Sequence, residues 1–153
     1  MPTSRNPRPL IVAEYYREKV VSFLDEAVEL PWTNMPAALT EFFGGTTRRQ
    51  VTDLLGFTQF RLVAEVGAVG VVAAAYLTLQ YSPDNVVAYA TAAHANAGNA
   101  HRLVLTAGGL LVGSWNDLVY AACVDSVYLR IVGTGGDGAV DPTFFKIRAE
   151  FRN

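Results

Sequence analysis

The strongest pattern along the chain is a period of two near its end. Residues 126–151 read SVYLRIVGTGGDGAVDPTFFKIRAEF. Val127, Leu129 and Ile131 alternate with Ser126, Tyr128 and Arg130, and further on Phe145, Ile147, Ala149 and Phe151 alternate with Lys146, Arg148, Glu150 and Arg152. Side chains two apart share a face of a strand, so each segment predicts a half-buried strand, and the glycines between them predict a hairpin turn. The period recurs at 59–66, where Phe60, Leu62, Ala64 and Val66 alternate with Gln59, Arg61, Val63 and Glu65. A slip of one residue would expose that whole apolar set, so this strand's register is firmly specified.

From Pro31 onward, glycine, proline or polar punctuation recurs about every eight to twelve residues, which is the signature of a sandwich of short strands. It predicts strands near 34–43, 58–66, 71–81, 86–92, 101–107, 118–123, 126–133 and 143–151. Pro36 confines the first of them to a sheet edge, Ser82-Pro83-Asp84-Asn85 predicts a tight turn, and residues 95–99 (ANAGN) predict a flexible loop. No unit repeats, which excludes a solenoid or a propeller. Eight strands over residues 32–153 predict an all-β domain, an eight-stranded two-sheet jelly-roll sandwich.

Residues 1–31 read differently. Pro2, Pro7 and Pro9 with Arg5 and Arg8 favour extended backbone and predict an N-terminal arm. Within it, Tyr16, Val20, Phe23 or Leu24, and Ala27 or Val28 recur at three- and four-residue spacing, which suits a short helix over 12–28 ended by Pro31. The same VVSF stretch is equally good strand material.

Composition narrows the function. At 153 residues the chain is one domain that needs no disulfide or structural metal, and its single cysteine, Cys123 in AACVDSV, reads as a small buried hydrophobe. A net charge of −2 points to no nucleic-acid partner. Residues are 51% hydrophobic and only 17% charged, against about 25% charged in average soluble domains. That imbalance predicts apolar surface covered by other protein. The longest uncharged apolar run, Val66 to Leu79, falls short of the roughly 18 residues a membrane helix needs, and MPTSRNPRPL lacks the apolar core of a signal peptide. The expectation is a soluble protein made in the cytoplasm, with no membrane partner.

Several stretches tempt a chemical reading. Gly133-Thr134-Gly135-Gly136-Asp137-Gly138 satisfies G-x-G-x-x-G after a strand, but Pro142 and a second strand follow where a helix N-terminus would have to receive a pyrophosphate. Asp137 and Asp141 could share a calcium ion with loop carbonyls, although two carboxylates without acidic neighbours are a thin ligand set. His94 and His101 are the only histidines, too few for a metal site of the cupin type. Asp25-Glu26 and Asp53 read as surface or capping charges, so no enzyme, cofactor or metal function is expected. Arg48-Arg49 suits either a contact to an acidic neighbour or a solvated pair. Trp32 (LPWTN) and Trp115 (GSWNDL) suit either plugs at the ends of the sandwich or platforms that stack on sugars.

Taken together, TEFFG (40–44), VTDLLGFTQFRLVAEVG (51–67), LTLQYSPD (77–84) and VYLRIVGTGGDGAVDPTFFKIRAEF (127–151) resemble the small jelly-roll module of structural proteins of tailed bacteriophages, found in head decoration (cement) proteins and in tail or fibre proteins. The resemblance covers roughly residues 32–153 and implies fold and virion membership, not catalysis. A single module with an arm is more similar to a capsid decoration protein, which binds the outer surface of the head and stabilises the shell by bridging capsomers. The alternative it implies is a carbohydrate- or receptor-binding module of a tail or head fibre, stacking on Trp32 or Trp115. Implied partners are the major capsid protein, met through Arg5, Arg8, Tyr15, Tyr16, Arg48 and Arg49, and the chain itself as a homotrimer. The trimer face expected from alternation on 71–81 is Val72, Ala74 and Tyr76, opposite Ala73, Ala75, Leu77, Leu79 and Tyr81.

Overall fold

The computed structural model describes residues 17–24, 40–41, 48–66, 76–86, 88–93, 101–105, 109–119, 126–134 and 145–153. Among these the strands are β1 (Glu18–Leu24), β2 (Thr40–Glu41), β3 (Arg49–Thr52), β4 (Gln59–Val66), β5 (Tyr76–Ser82), β6 (Ala90–Thr91), β7 (Leu103–Val104), β8 (Gly109–Val112), β9 (Asn116–Asp117), β10 (Ser126–Thr134) and β11 (Phe145–Arg152). The described residues contain no helix.

The strands form two antiparallel sheets. The first has the order β1-β11-β4-β8, with β9 also on β4, and the second has β2-β10-β5-β6, with β3 also on β10 and β7 also on β5. One buried cluster joins them. Phe60, Leu62, Ala64, Ile147, Ala149 and Phe151 enter it from the first sheet, and Leu77, Leu79, Leu129 and Ile131 from the second. These are the alternating positions of the four central strands. Burying each large one is worth about 1.5–3 kcal/mol, so any register that turned them outward would forfeit most of the core.

The two sheets are tied at both sides. At one, Val119 N–H donates to Ala92 O at 2.7 Å and Ala93 bridges Leu118, which links the end of β6 to the end of β9. At the other, Arg49 lies opposite the buried Leu129 and therefore points inward from β3. Its guanidinium donates to Ser22 O at 3.2 Å and to Phe23 O at 2.7 Å on β1.

Two expectations are corrected. Residues 18–24 are a strand and not part of a helix, because pairing with β11 offers the backbone a ladder, irregular only between Ser22 and Leu24, and Phe23 enters the core at 0% exposure. Tertiary pairing outweighs the three- and four-residue spacing. The segments 126–133 and 143–151 are not a hairpin either: β10 and β11 lie in different sheets, with both edges of β11 occupied by β1 and β4. The strand Arg49–Thr52 was not anticipated, and the stretch after residue 108 forms strands at Gly109–Val112 and Asn116–Asp117, earlier than expected. The turn after β5 is as expected. Asn85 N–H donates to Ser82 Oγ at 3.2 Å, Val86 N–H to Asp84 Oδ1 at 2.9 Å, and Asn85 adopts φ 64°.

Candidate functional site

The segment 109–117 runs antiparallel along β4 with one interruption. Val112 pairs with Val63 and Asn116 with Phe60, so Gly113, Ser114 and Trp115 stand opposite only Arg61 and Leu62. The extra residue is a β-bulge, and it exchanges faces. Continued alternation from β8 would place residue 115 on the core side with Leu111. Instead Asn116, opposite the buried Phe60, takes the core side, and Trp115 turns to the outer face. Gly113 permits the close approach this needs: its N–H donates to Leu62 O at 2.8 Å, and a Cβ there would stand 3.0 Å from that same oxygen. The bulge is closed by Asn116 Nδ2, which donates to Ser114 O at 2.8 Å.

Around Trp115 the polar sides of β4 and β11 form the surface. The Arg61 and Arg152 guanidinium carbons lie 4.6 and 4.1 Å from the centroid of the indole ring. Arg61 Nε donates to Glu150 Oε2 at 2.7 Å and Arg148 Nε to Glu150 Oε1 at 3.1 Å. Burial pushes the Glu150 carboxyl up, but the hydrogen bonds and charges of the two arginines outweigh it and hold it below its ordinary value. Arg152 differs. Its Nε donates to the amide oxygen of Gln59 at 2.8 Å, and it pairs with no carboxylate among the described residues. A cavity of about 220 Å³ opens beside the ring, bordered by Glu18, Lys19, Val20, Arg61, Glu150 and Phe151.

The outer face of the second sheet carries a related cluster. Glu41 on β2 accepts from Arg48 Nε at 2.6 Å and Arg48 Nη2 at 2.9 Å, and from Arg130 Nη1 at 3.1 Å. The Arg48 hydrogen bonds, reinforced by the charge of Arg130, hold the Glu41 carboxyl below its ordinary value against the opposing effect of burial. Both guanidinium groups also stand over the ring of Tyr89, at 5.5 Å for Arg48 and 4.2 Å for Arg130. The Tyr89 hydroxyl donates to Asn85 Oδ1 at 2.7 Å, Arg48 Nη1 donates to the same atom at 3.2 Å, and Arg130 Nε donates to Gln80 Oε1 at 3.0 Å. Desolvation raises the Tyr89 phenol, partly countered by the two arginines.

Of the residues singled out in the sequence, Arg48 and Arg49 are engaged within the chain, the first in the Glu41 cluster and the second between the sheets. Tyr76 is half-buried on the outer face of β5, with the Arg102 guanidinium 4.0 Å from its ring centroid. Trp115 plugs no end of the core; it lies half-buried on the outer face under two arginines. Asp53 stands at φ 59° after β3, and its carbonyl accepts from Arg17 Nη2 at 3.4 Å. His101 is half-buried just before β7. Arg5, Arg8, Tyr15, Tyr16, Asp25, Glu26, Trp32, Val72, Ala74, His94, Cys123, Asp137 and Asp141 lie outside the described residues. Among the described residues no group of three or more His, Cys, Asp or Glu could hold a metal ion, and no helix is long and apolar enough to cross a membrane.

Sequence reasoning missed Glu41, Glu150, Arg61, Arg130, Arg152 and Tyr89. A signal for part of this was present, since the polar sides of 59–66 and 145–151 carry opposite charges at alternate positions, as cross-strand ion pairs require. Comparison with protein-family models, with curated proteins and with solved structures finds no match to this chain.

Proposed function

We propose that the chain is a jelly-roll structural protein of a tailed-bacteriophage virion, a decoration protein that binds the outside of the head and stabilises the shell by bridging capsomers. The observation that carries this reading is the order of strand pairing. A jelly roll is one long antiparallel ribbon wrapped so that successive rungs fall alternately in two sheets. If β2 with β3, β6 with β7, and β8 with β9 are each one interrupted strand, the ribbon has eight strands. Its rungs, first with eighth, second with seventh, third with sixth and fourth with fifth, are then β1 with β11, β3 with β10, β4 with β8 and β5 with β6. The pieces that carry the phage resemblance supply β4, β5, β10 and β11, the strands at the centres of both sheets.

A protein with this role needs surface that other subunits cover. At the edge of the first sheet, β8 pairs only with β4 among the described strands, residues 106–115 carry no charge, and Leu110 and Val112 are 62% and 51% exposed. An uncharged open edge of this kind is a hazard on a free subunit and a contact in an assembly. Each lattice site occupied adds its own binding free energy to the shell by linkage. The proposed partners are the major capsid protein, through the arm with Arg5, Arg8, Tyr15 and Tyr16, and two further copies of the chain, through the face of Val72, Ala74 and Tyr76.

Light scattering of the purified protein should give three times the 16.5 kDa subunit mass. It should co-sediment with heads that lack it, and a chain without residues 1–16, which precede β1, should fold but bind heads more weakly. A handful of copies at the tail and no binding to heads would sink the reading in favour of a carbohydrate- or receptor-binding fibre module, for which the outward-turned Trp115 is the supporting observation.

A further inference from the structure

We infer that the open edge of β8 takes a strand from a second copy of the chain, the segment Leu10-Ile11-Val12-Ala13 of that copy's arm. The pairing needs no capsid and stands apart from head binding.

The edge is equipped for it. Gly113 N–H donates to Leu62 O, so by strand alternation Leu111 and Gly109 also turn their N–H and C=O toward β4. Leu110 and Val112 then turn theirs away, to the side where β8 pairs with no other described strand. Their side chains are 62% and 51% exposed, while Leu111 lies half-buried against the core. An added strand therefore meets two N–H donors, two carbonyl acceptors and apolar side chains on both of its faces. Addition of an extended segment to such an edge is a recurring mode of recognition.

The chain carries a segment of matching length and character. Residues 10–13 are four consecutive uncharged apolar residues, with β-branched Ile11 and Val12 at their centre, bounded by Pro9 and Glu14. Both alternate sets, Leu10 with Val12 and Ile11 with Ala13, are apolar, as an edge with apolar residues on both faces requires. With no charge at 106–115, the edge offers nothing that would select a charged partner instead.

Reach decides which copy supplies the segment. Across the first sheet Glu18 is level with Arg152, Gln59 and Asp117, at the opposite end of β4 from β8. The nearer end of β8, Val112, is level with Val63, four residues on from Gln59 and so about 13 Å along the strands from Glu18. The position beyond β8 is four strand spacings from β1, or about 19 Å. The straight-line separation is then about 23 Å. Ala13 precedes Glu18 by five residues, which span at most about 18 Å when fully extended. The segment falls short of its own β8, so the occupant comes from another copy.

The test uses the full chain with Cys123→Ser, so that introduced thiols are the only ones. Chains with Leu110→Cys are mixed with chains carrying Leu10→Cys, Ile11→Cys, Val12→Cys or Ala13→Cys and oxidised, and linked peptides are identified by mass spectrometry. At least one arm position should give a mixed product of twice the 16.5 kDa subunit mass. Val86→Cys, 87% exposed after β5, should give at least ~tenfold less. In light scattering, either Ile11→Pro or Val12→Pro, whichever removes an N–H that faces β8, should weaken self-association ~tenfold or more, and the other should weaken it less. Mixed products no more abundant at 10–13 than at Val86 overturn the inference. So does a Leu110→Cys chain that by itself links faster than any mixed pair, which would mean two β8 edges meeting. A chain with Leu110→Cys and an arm cysteine that closes its disulfide within one copy overturns it as well. No capsid is present, so each of these failures leaves the head-binding proposal standing.

Discussion

The outer faces of the two sheets use the same parts to different ends. Each has a glutamate gripped by two arginines and an aromatic ring beneath two guanidinium groups. On the second sheet the same two arginines do both jobs: Arg48 and Arg130 hold Glu41 and cover Tyr89, and Asn85 and Gln80 take further donors. The circuit closes on itself and fastens β2 and the turn after β5 to β10. On the first sheet the jobs are divided. Arg61 and Arg148 hold Glu150, whereas Arg61 and Arg152 cover Trp115, and Arg152 pairs with no carboxylate among the described residues. One displaced arginine separates a structural clasp from a surface with unspent charge.

The comparison can be broken most severely from below. Phe151 is fully buried, packs its ring 6.4 Å from that of Phe57 and 6.5 Å from that of Phe60, and also borders the Trp115 cavity. Phe151→Ala should lower unfolding stability by about 3–5 kcal/mol in chemical denaturation. A smaller and more local break is Gly113→Ala. Its Cβ would stand 3.0 Å from Leu62 O, a backbone atom of the central strand β4, so that contact has to give by a few tenths of an ångström. A loss of about 1–3 kcal/mol is expected, together with a changed environment of Trp115 in fluorescence and an unchanged environment of Tyr89. Wild-type stability and an unmoved Trp115 signal would show that the bulge does not depend on glycine.

How much of this was legible in the sequence follows from what each feature depends on. The inward faces of β4, β10 and β11 were readable because burial imposes a period of two on residues such as Phe60, Leu129 and Ile147. The turn at Ser82-Pro83-Asp84-Asn85 was readable because its chemistry is local. The separation of β10 from β11 was not, since a glycine-rich linker can close a hairpin or cross between sheets, and only the partners β5 and β1 decide which. Val20, Val21 and Phe23 suited helix and strand alike until β11 supplied a ladder. Trp115 was noticed as an aromatic in a loop-like context. Its direction depends on one unpaired residue against β4, and its neighbours Arg61 and Arg152 are 54 and 37 positions away in sequence. The Glu41 clasp is harder still, because β2, β5 and β10 meet only in the folded sheet.

The smallest expected effects come from the two carboxylates, and they test the comparison directly. The Glu41 side chain is 16% exposed and that of Arg130 21%, so Glu41→Gln should cost about 1–2 kcal/mol, part of it screened at the 40%-exposed Arg48. Glu150 is held by arginines 31% and 44% exposed, and Glu150→Gln should cost about half as much. Both carboxyls titrate below their ordinary value of 4.5 in the folded chain. A carboxyl with a lowered folded value binds its proton less readily in the folded chain than in the unfolded one. Its stabilisation is therefore fully present above the unfolded value and is lost as pH falls through the folded value. Denaturation midpoints of wild type and Glu41→Gln should differ by a constant amount from neutral pH down to about 5 and converge in acid as Glu41 protonates. The Glu150→Gln pair should show the same convergence from a smaller initial gap. A gap at Glu41 that persisted unchanged well below pH 4.5 would mean that shape, and not charge, holds β2 in place, and the clasp on the second sheet would lose its electrostatic basis.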